Sequence, residues 1–151
     1  MYTGSVMKDY RYHILLVEDD VSHTELIKRC FERVPLQTTI HCLADGEQAL
    51  RHILYPLRDS KEPPQEYDLI ILDQRLPKVN GLEVLKTLNE QGLTAEKPVV
   101  IFSTSSAESD HDLAMSLGAR AYISKPIGYQ DFLSAIQKMT YYLTEKRPQS
   151  A

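Results

Sequence analysis

The sequence predicts an α/β domain built on an open, doubly wound sheet of five parallel strands. Five short apolar runs alternate with segments in which apolar residues recur at three- and four-residue spacing, the period of a helix. The second, third and fourth runs are nearly continuous rather than alternating, as parallel strands covered on both faces require. A chain of 151 residues with 25% charged side chains fits one globular domain of this class.

The first two strand–helix units occupy the first third of the chain. The first strand is HILLV (His13–Val17), and Pro35 closes the helix after it. That helix has one apolar face, formed by Leu26, Ile27, Cys30, Phe31 and Val34. The second strand is TTIHCLA (Thr38–Ala44), and Asp45 can cap the helix that follows. The apolar face of this second helix is Ala49, Leu50, Ile53 and Leu54.

Three further units complete the pattern. The third strand is DLIIL (Asp68–Leu72), and the helix after Gly81 has an apolar face of Leu82, Leu85 and Leu88. The fourth strand is PVVIF (Pro98–Phe102), and its helix carries Leu113 and Leu117 and ends at Gly118. The fifth strand is AYIS (Ala121–Ser124). The last helix places four apolar residues on one side: Phe132, Ile136, Met139 and Leu143.

Polar residues follow four of the five predicted strands: Glu18 and Asp19, Asp73, Ser103 and Thr104, and Lys125. Ligands of open parallel sheets bind outside the carboxyl ends of the strands, so we expect these side chains to converge. Three neighbouring carboxylates repel one another, and a hard divalent cation relieves that repulsion. Mg²⁺ takes carboxylate and phosphate oxygens. The sequence therefore predicts a magnesium site at this edge of the sheet.

The other polar residues at this edge suit a phosphoryl group. Lys125 supplies a point charge for a phosphoryl oxygen, and Ser103 supplies a hydrogen-bond donor. Asp73 is then the nucleophile, since carboxylates form covalent phosphoryl intermediates. Taken singly, a strand-end acid is more often a helix cap, and a Ser-Thr or Lys-Pro pair is more often part of a turn or surface. Their placement at successive strand ends favours the joint interpretation.

Four segments resemble motifs of the receiver domains of two-component response regulators, in the same order and at the same spacing. They are ILLVEDD, DLIILDQRLPKVNGLEVL, PVVIFSTS and GARAYISKP. The resemblance covers residues 12–143 and implies a flavodoxin-like fold with strand order 2-1-3-4-5. Residues 1–11 are then an N-terminal extension and residues 144–151 a C-terminal tail, so we expect no output domain.

The resemblance implies a role for each residue at the predicted edge. Asp73 is expected to accept a phosphoryl group from a sensor histidine kinase, with Lys125 and Ser103 completing the catalytic set. The metal ligands are expected to be Glu18, Asp19, Asp73 and the backbone carbonyl of Arg75. The chain is then a phosphoacceptor with at most self-catalysed phosphotransfer and autodephosphorylation, and not an enzyme acting on other substrates.

The resemblance also implies a switch. The backbone N–H of Thr104 is expected to contact phosphate, and Ser103 and Tyr122 to move when Asp73 is phosphorylated. This movement would alter the face formed by the fourth helix, fifth strand and fifth helix. The bond between Lys125 and Pro126 is expected to be cis. Arg75 and Ser105 occupy positions that tune phosphoryl lifetime in this family, and Arg75 leads us to expect slow self-hydrolysis.

The segment between Tyr55 and Tyr67 is longer than a minimal receiver needs, and it resembles small regulators paired with cyanobacterial phytochromes. We therefore expect a histidine kinase partner, with a phytochrome-type photoreceptor kinase as the candidate. Four residues of the last helix could support a homodimer: Phe132, Met139, Tyr141 and Tyr142.

Two alternatives stay open. An aspartate-nucleophile phosphatase of the haloacid dehalogenase type needs a second aspartate where Arg75 stands. A phosphorylation-independent interaction module would keep the same fold. A net charge of −4 argues against direct nucleic-acid binding. Apolar runs are too short to cross a membrane, and Cys30 and Cys42 suggest buried free thiols, so we expect a cytoplasmic protein.

Overall fold

The computed structural model describes residues 10–55 and 66–146. Five parallel strands form one sheet in the order β2-β1-β3-β4-β5, which confirms the predicted fold class. The strands are β1 (Arg11–Val17), β2 (Gln37–Leu43), β3 (Leu69–Leu72), β4 (Val99–Ser103) and β5 (Ala121–Ser124). The helices are α1 (Val21–Glu32), α2 (Gly46–Leu54), α3 (Gly81–Glu90), α4 (Glu108–Ser116) and α5 (Tyr129–Lys146), with a 3₁₀ turn at Leu93–Ala95.

The strand order reverses beside β1, which pairs with both β2 and β3. In the β1–β3 ladder Val17 lies opposite Leu72, and in the β3–β4 ladder Leu72 lies opposite Ile101. The residues that follow these partners therefore emerge at the same edge of the sheet. This edge is where open parallel sheets bind ligands, because the crossovers to either side diverge there.

Apolar side chains fill both faces of the sheet. On one face Ile14 and Leu16 pack against α1 and α5. On the other face Leu15 and Val17 pack against the apolar sides of α2, α3 and α4. All residues of β3 and β4 are buried, as their continuous apolar runs predict. The predicted apolar face of α5 is also buried: Phe132, Ile136, Met139 and Leu143.

Strand β2 differs from the prediction that it would be covered on both faces. It lies at the edge of the sheet, and its residues are half-buried or exposed. Cys42 is exposed for this reason, whereas Cys30 is buried as predicted. Leu113 is a second correction: it is 47% exposed, and Ala114 takes the buried position on α4. A shift of one residue turns a helical side chain by about 100°, which carries Leu113 away from the sheet while Ala114 faces it.

Helix ends follow the predicted chemistry. Asp45 caps α2 by accepting a hydrogen bond from the backbone N–H of Gln48 at 2.7 Å. Asp20 and Asn80 cap α1 and α3 in the same way. Gly118 follows α4 with a φ of +99°, a conformation that costs a glycine nothing. This residue ends the helix as predicted.

Some expectations are wrong or fall outside the described residues. The Lys125–Pro126 bond is trans, since the described residues contain no cis peptide bond. The trans form is the favoured one for most X–Pro bonds. The predicted extension begins in residues 1–9, outside the described part, and Arg11 already belongs to β1. Residues 56–65 of the long loop and 147–151 of the tail also lie outside it. Among the described residues, no helix is long and apolar enough to cross a membrane.

Candidate functional site

The carboxyl ends of β1 and β3 bring three carboxylates together. Val17 and Leu72 lie opposite one another in the β1–β3 ladder, and Glu18 and Asp73 are the residues that follow them. One oxygen from each of Glu18, Asp19 and Asp73 lies within 4.8 Å of the other two. Glu18 and Asp73 are buried, while Asp19 is exposed. We call these three residues the acidic pocket, and their meeting confirms the predicted convergence.

A glycine holds the loop after β3 against this pocket. A Cβ added at Gly81 would lie 2.0 Å from the backbone oxygen of Asp73, so no larger residue fits without moving the strand end. The backbone N–H of Gly81 donates a hydrogen bond to the carbonyl of Gln74 at 2.8 Å. This close contact allows α3 to begin beside Asp73.

Lys125 supplies a positive charge inside the acidic pocket. Its backbone N–H donates to the carbonyl of Ser103 at 2.7 Å, which places it beyond the neighbouring ends of β4 and β5. The side chain is only 3% exposed. Its Nζ donates hydrogen bonds to Glu18 Oε1 at 2.6 Å and to Asp73 Oδ2 at 3.3 Å. The fifth strand thus delivers its ammonium to the carboxylates of the first and third.

The acidic pocket fits a hard divalent cation. Burial raises the pKa of Glu18 to about 7, the hydrogen bond from Lys125 opposes the rise, and the charge of Asp73 adds to it. The pocket therefore disfavours a second and third negative charge when Lys125 alone compensates them. The ligand atoms are all carboxylate oxygens, which Mg²⁺ prefers. Arg75 donates its backbone N–H to Asp73 Oδ1 at 3.4 Å, and the ligand role of its carbonyl stays a prediction.

The two hydroxyl residues after β4 differ in their surroundings. Ser103 is fully buried, and its Oγ accepts a long hydrogen bond of 3.4 Å from the backbone N–H of Ser105. Thr104 is exposed. Ser103 therefore has its hydroxyl enclosed at the sheet edge, whereas Thr104 lies at the surface. The switch and phosphate-binding roles expected of them stay predictions.

Tyr122 is held inward by hydrogen bonds that the sequence did not predict. Its hydroxyl lies 2.9 Å from both Gln74 Oε1 and the carbonyl of Ser105. A hydroxyl has one proton, so it donates to one of these acceptors at a time. Hydrogen bonds from the side chains of Ser105 and Gln74 lower the pKa of Asp110. Tyr122 is thus tied to the residues that follow Asp73 and Ser103.

His23 is a residue to which the sequence analysis assigns no role, yet its Nδ1 lies 2.9 Å from the Nζ of Lys125. The available signal was its position: three residues after the N-cap Asp20, a side chain in the first turn of α1 lies near the end of β1.

Sequence comparison gives a consistent family match. A profile of the response regulator receiver domain matches residues 14–137. The chain is 34% identical over 129 residues to the probable methanogenesis regulatory protein FilR2 of Methanothrix harundinacea, which covers 85% of this chain and 81% of that protein. The chain spans about half the length of other curated relatives. One is the transcriptional regulatory protein CpxR of Escherichia coli, 34% identical over 124 residues, with 82% of this chain and 47% of that protein covered.

Solved structures with the same fold include regulators named for phytochromes. The phosphorylated cyanobacterial phytochrome response regulator RcpA has a TM-score of 0.81 at 24% identity, covering 94% of this chain and 100% of that one, a similarity of fold alone. The Mn²⁺-bound response regulator Rcp1 has a TM-score of 0.78 at 26% identity, with coverages of 93% and 99%. The bacteriophytochrome response regulator RtBRR has a TM-score of 0.70 at 35% identity, with coverages of 86% and 78%.

Proposed function

The chain belongs to the family of response regulator receiver domains of two-component systems, and on that premise we propose that Asp73 accepts a phosphoryl group from a sensor histidine kinase. One observation carries the proposal. The Nζ of Lys125 lies between Glu18 and Asp73, within hydrogen-bond distance of both. A cation beside a buried carboxylate is what an incoming phosphoryl oxygen needs.

In the proposed transfer, an oxygen of Asp73 forms a P–O bond while the P–N bond of the donor phosphohistidine breaks. The electron pair of the broken bond leaves on the imidazole nitrogen. Lys125 and the hydroxyl of Ser103 donate hydrogen bonds to phosphoryl oxygens, and the backbone N–H of Thr104 contacts a third. Mg²⁺ held by Glu18, Asp19, Asp73 and the carbonyl of Arg75 would neutralise charge on the phosphoryl group. Residue positioning is the protein's main contribution.

The signal would leave through the face formed by α4, β5 and α5. A phosphoryl group adds negative charge beside Ser103, whose inward movement would draw on the segment that holds Tyr122. The carbonyl of Ser105 accepts the tyrosine hydroxyl at 2.9 Å, which supports a link between the two residues. Exposed apolar side chains on this face are available to a second copy of the chain: Leu113, Met115 and Tyr141. Phe132 and Met139, which we had also considered for a homodimer, are buried in the core.

The finer assignment is a phytochrome-type kinase as partner, acting in the cytoplasm. It is supported by 35% identity to a regulator named for a bacteriophytochrome. The Mn²⁺ found in Rcp1 supports a divalent cation in the acidic pocket here. We keep Arg75, which is exposed two residues after Asp73, as the reason to expect slow autodephosphorylation.

Beryllium fluoride, a mimic of the aspartyl phosphate, tests this function. We expect it to bind the wild-type chain when Mg²⁺ is present, and to fail with Asp73→Asn or when EDTA replaces Mg²⁺. Asp131→Asn, an exposed aspartate in the first turn of α5, is the matched control and should bind normally. Sedimentation of the same samples measures whether binding promotes a dimer.

The same experiment separates the alternatives. An interaction module that does not depend on phosphorylation would bind its partner without binding beryllium fluoride. A phosphatase would turn over an added phosphate monoester, although an exposed arginine occupies the position where such an enzyme needs its acid. Fluoride binding that survives Asp73→Asn would contradict the proposed function.

A further inference from the structure

The backbone between β1 and α1 fixes the position of His23. The backbone N–H of Asp20 donates to Glu18 Oε2 at 3.0 Å. The carboxylate of Asp20 accepts from the backbone N–H groups of Ser22 at 2.8 Å and His23 at 3.2 Å. Glu18 and the N-cap Asp20 thus fix the first turn of α1 through hydrogen bonds to its backbone. The side chain of His23 is 33% exposed and borders the pocket.

The contact between His23 and Lys125 has one possible polarity. An ammonium group donates hydrogen bonds and accepts none, so the Nδ1 of His23 must accept at 2.9 Å. The carboxylates nearest to Nδ1 are those of Glu18 at 3.9 Å and Asp20 at 4.0 Å, too far for hydrogen bonds. Lys125 is the partner of His23 in the pocket.

The three acceptors around Lys125 are not equivalent. Glu18 and Asp73 belong to the group of carboxylate oxygens that suits a metal ion, and His23 does not belong to it. A bound Mg²⁺ would compete with the ammonium for both carboxylates, because both cations seek the same oxygens. An imidazole is a poor ligand for this hard cation and stays available to Lys125.

We propose that His23 is a positioning residue that holds the Lys125 ammonium beside Asp73 when a divalent cation occupies the carboxylates. This inference rests on the proposed phosphoryl-acceptor function and adds to it. The lysine side chain has a flexible four-carbon stem, and fixing its end in advance spares conformational entropy when a phosphoryl oxygen arrives. His23 acts through Lys125 and does not itself contact the phosphoryl group.

Substitutions at position 23 test the proposal through the affinity for beryllium fluoride at saturating Mg²⁺. His23→Leu removes the acceptor, and we expect a roughly tenfold weaker affinity, the typical effect of a hydrogen bond to a charged group. His23→Asn can place a carbonyl oxygen near the former Nδ1, so we expect an affinity within about twofold of wild type. Leucine is the better helix former, so helix stability alone would rank these two variants in the opposite order.

Two further measurements isolate the contact. His52→Leu makes the same change on α2, outside the acidic pocket, and should leave the fluoride affinity unchanged. In ¹⁵N NMR spectra, Lys125→Met should move the Nδ1 resonance of His23, because it removes the donor. Equal affinities of wild type and His23→Leu for beryllium fluoride would overturn this inference alone. An Nδ1 resonance of His23 that does not shift in Lys125→Met would do the same. Failure of the wild-type chain to bind beryllium fluoride would overturn the proposed function as well.

Discussion

Two clusters of ionisable side chains lie close to β1 and β3, and they differ in how their buried polar groups are compensated. In the acidic pocket, Lys125 lies within hydrogen-bond distance of two of the three carboxylates. The second, which we call the histidine cluster, consists of His13, His41, His52 and Tyr67. Its members have aromatic contacts and no opposite charge among the contacts that the structure describes between them.

The histidine cluster is held by ring packing and one short hydrogen bond. The ring centroids of His13 and His41 are 5.8 Å apart, and those of His41 and Tyr67 are 5.4 Å apart. The Nε2 of His52 lies 2.6 Å from the hydroxyl oxygen of Tyr67. Within the described part of the chain, His13 Nδ1 and His41 Nε2 are buried without a hydrogen-bond partner. Such atoms are costly, and a charge there would be costlier.

Burial favours the neutral form in both clusters, yet the consequences for stability have opposite signs. It raises the pKa of Glu18 to about 7 and, together with the charges of His13 and His52, lowers the pKa of His41. The contribution of Glu18 to the free energy of unfolding is fully present below its ordinary pKa of 4.5, and it is lost as the pH rises through about 7. The His41 contribution is present above the ordinary pKa of 6.5 and is lost at lower pH. Carboxylates whose charge a cation can neutralise suit a binding site, whereas rings that pack against one another suit a structural core.

The largest expected effect is at Glu18. Glu18→Gln removes the titrating group while keeping its shape, so the metal-free variant should lack the wild-type loss of stability with rising pH. Between pH 5 and pH 8 we expect the difference between the two proteins to change by on the order of 3 kcal/mol. Urea unfolding in EDTA at both pH values measures the free energies of unfolding.

Two conditions show whether this effect comes from crowded negative charge. Asp73→Asn removes a neighbouring charge that raises the pKa of Glu18, so the wild-type pH dependence should weaken. Saturating Mg²⁺ should weaken it too, because the cation favours the ionised carboxylate. If the free energies of unfolding of wild type and Glu18→Gln change in parallel with pH in EDTA, ionisation of Glu18 does not destabilise the metal-free protein.

The next effect is at His41, and its sign is opposite. His41→Leu removes a buried nitrogen without a described partner, so we expect a gain of about 1 kcal/mol in the free energy of unfolding at pH 7. The gain should grow as the pH falls below about 6.5, since the folded wild type resists protonation at His41. Urea unfolding between pH 5 and pH 7 measures both quantities.

An exposed histidine provides the comparison for His41. His111→Leu on α4 makes the same change at an exposed side chain, and it should give no comparable gain in the free energy of unfolding at pH 7. A gain at His41 that stays constant between pH 5 and pH 7 would mean that burial does not shift its titration. The contrast with the acidic pocket would then fail.

Most of the fold could be predicted from the sequence because apolar periodicity records which faces are buried. All five strands lie within two residues of their predicted bounds, including β5 at Ala121–Ser124. The exposure of β2 could not be predicted from its own apolar residues, because a strand's place in the sheet depends on the direction of its crossovers. The order 2-1-3-4-5 that the resemblance implies does place β2 at an edge. Leu113 was mistaken for a core residue because its neighbour Ala114 gives a weak apolar signal.

The candidate site likewise contains residues that the sequence could predict and residues that it could not. Glu18 and Asp73 were predictable, since topology places the ends of the paired strands β1 and β3 together. Lys125 follows β5 at the same edge of the sheet, and its long side chain reaches both carboxylates. The position of His23 indicated only that it lies near the end of β1, and the contacts of His23 and Gln74 depend on side-chain rotamers that no sequence period records. Residues on strand ends are fixed by the sheet, whereas those on the following turns are fixed by local hydrogen bonds.

The smallest expected effect is at Tyr122, whose hydroxyl contacts Gln74, the residue after Asp73. Tyr122→Phe removes a neutral hydroxyl whose single proton is shared between Gln74 and the carbonyl of Ser105. We expect a loss of about 1 kcal/mol in the free energy of unfolding, the net value of one such hydrogen bond. Urea unfolding at pH 5 and pH 8 should give the same loss, because an amide oxygen and a backbone carbonyl, the two acceptors of this hydroxyl, carry no charge.

The pH profile of Tyr122→Phe is therefore as informative as its size. A loss that differs between pH 5 and pH 8 would show that the hydrogen bonds of Tyr122 respond to a group that titrates elsewhere in the protein. A constant loss would mean that Tyr122 adds nothing to the pH dependence of stability, which Glu18 and His41 affect in opposite directions. Since Tyr122 is half-buried and aromatic, phenylalanine keeps its packing, and the comparison isolates the hydrogen bond.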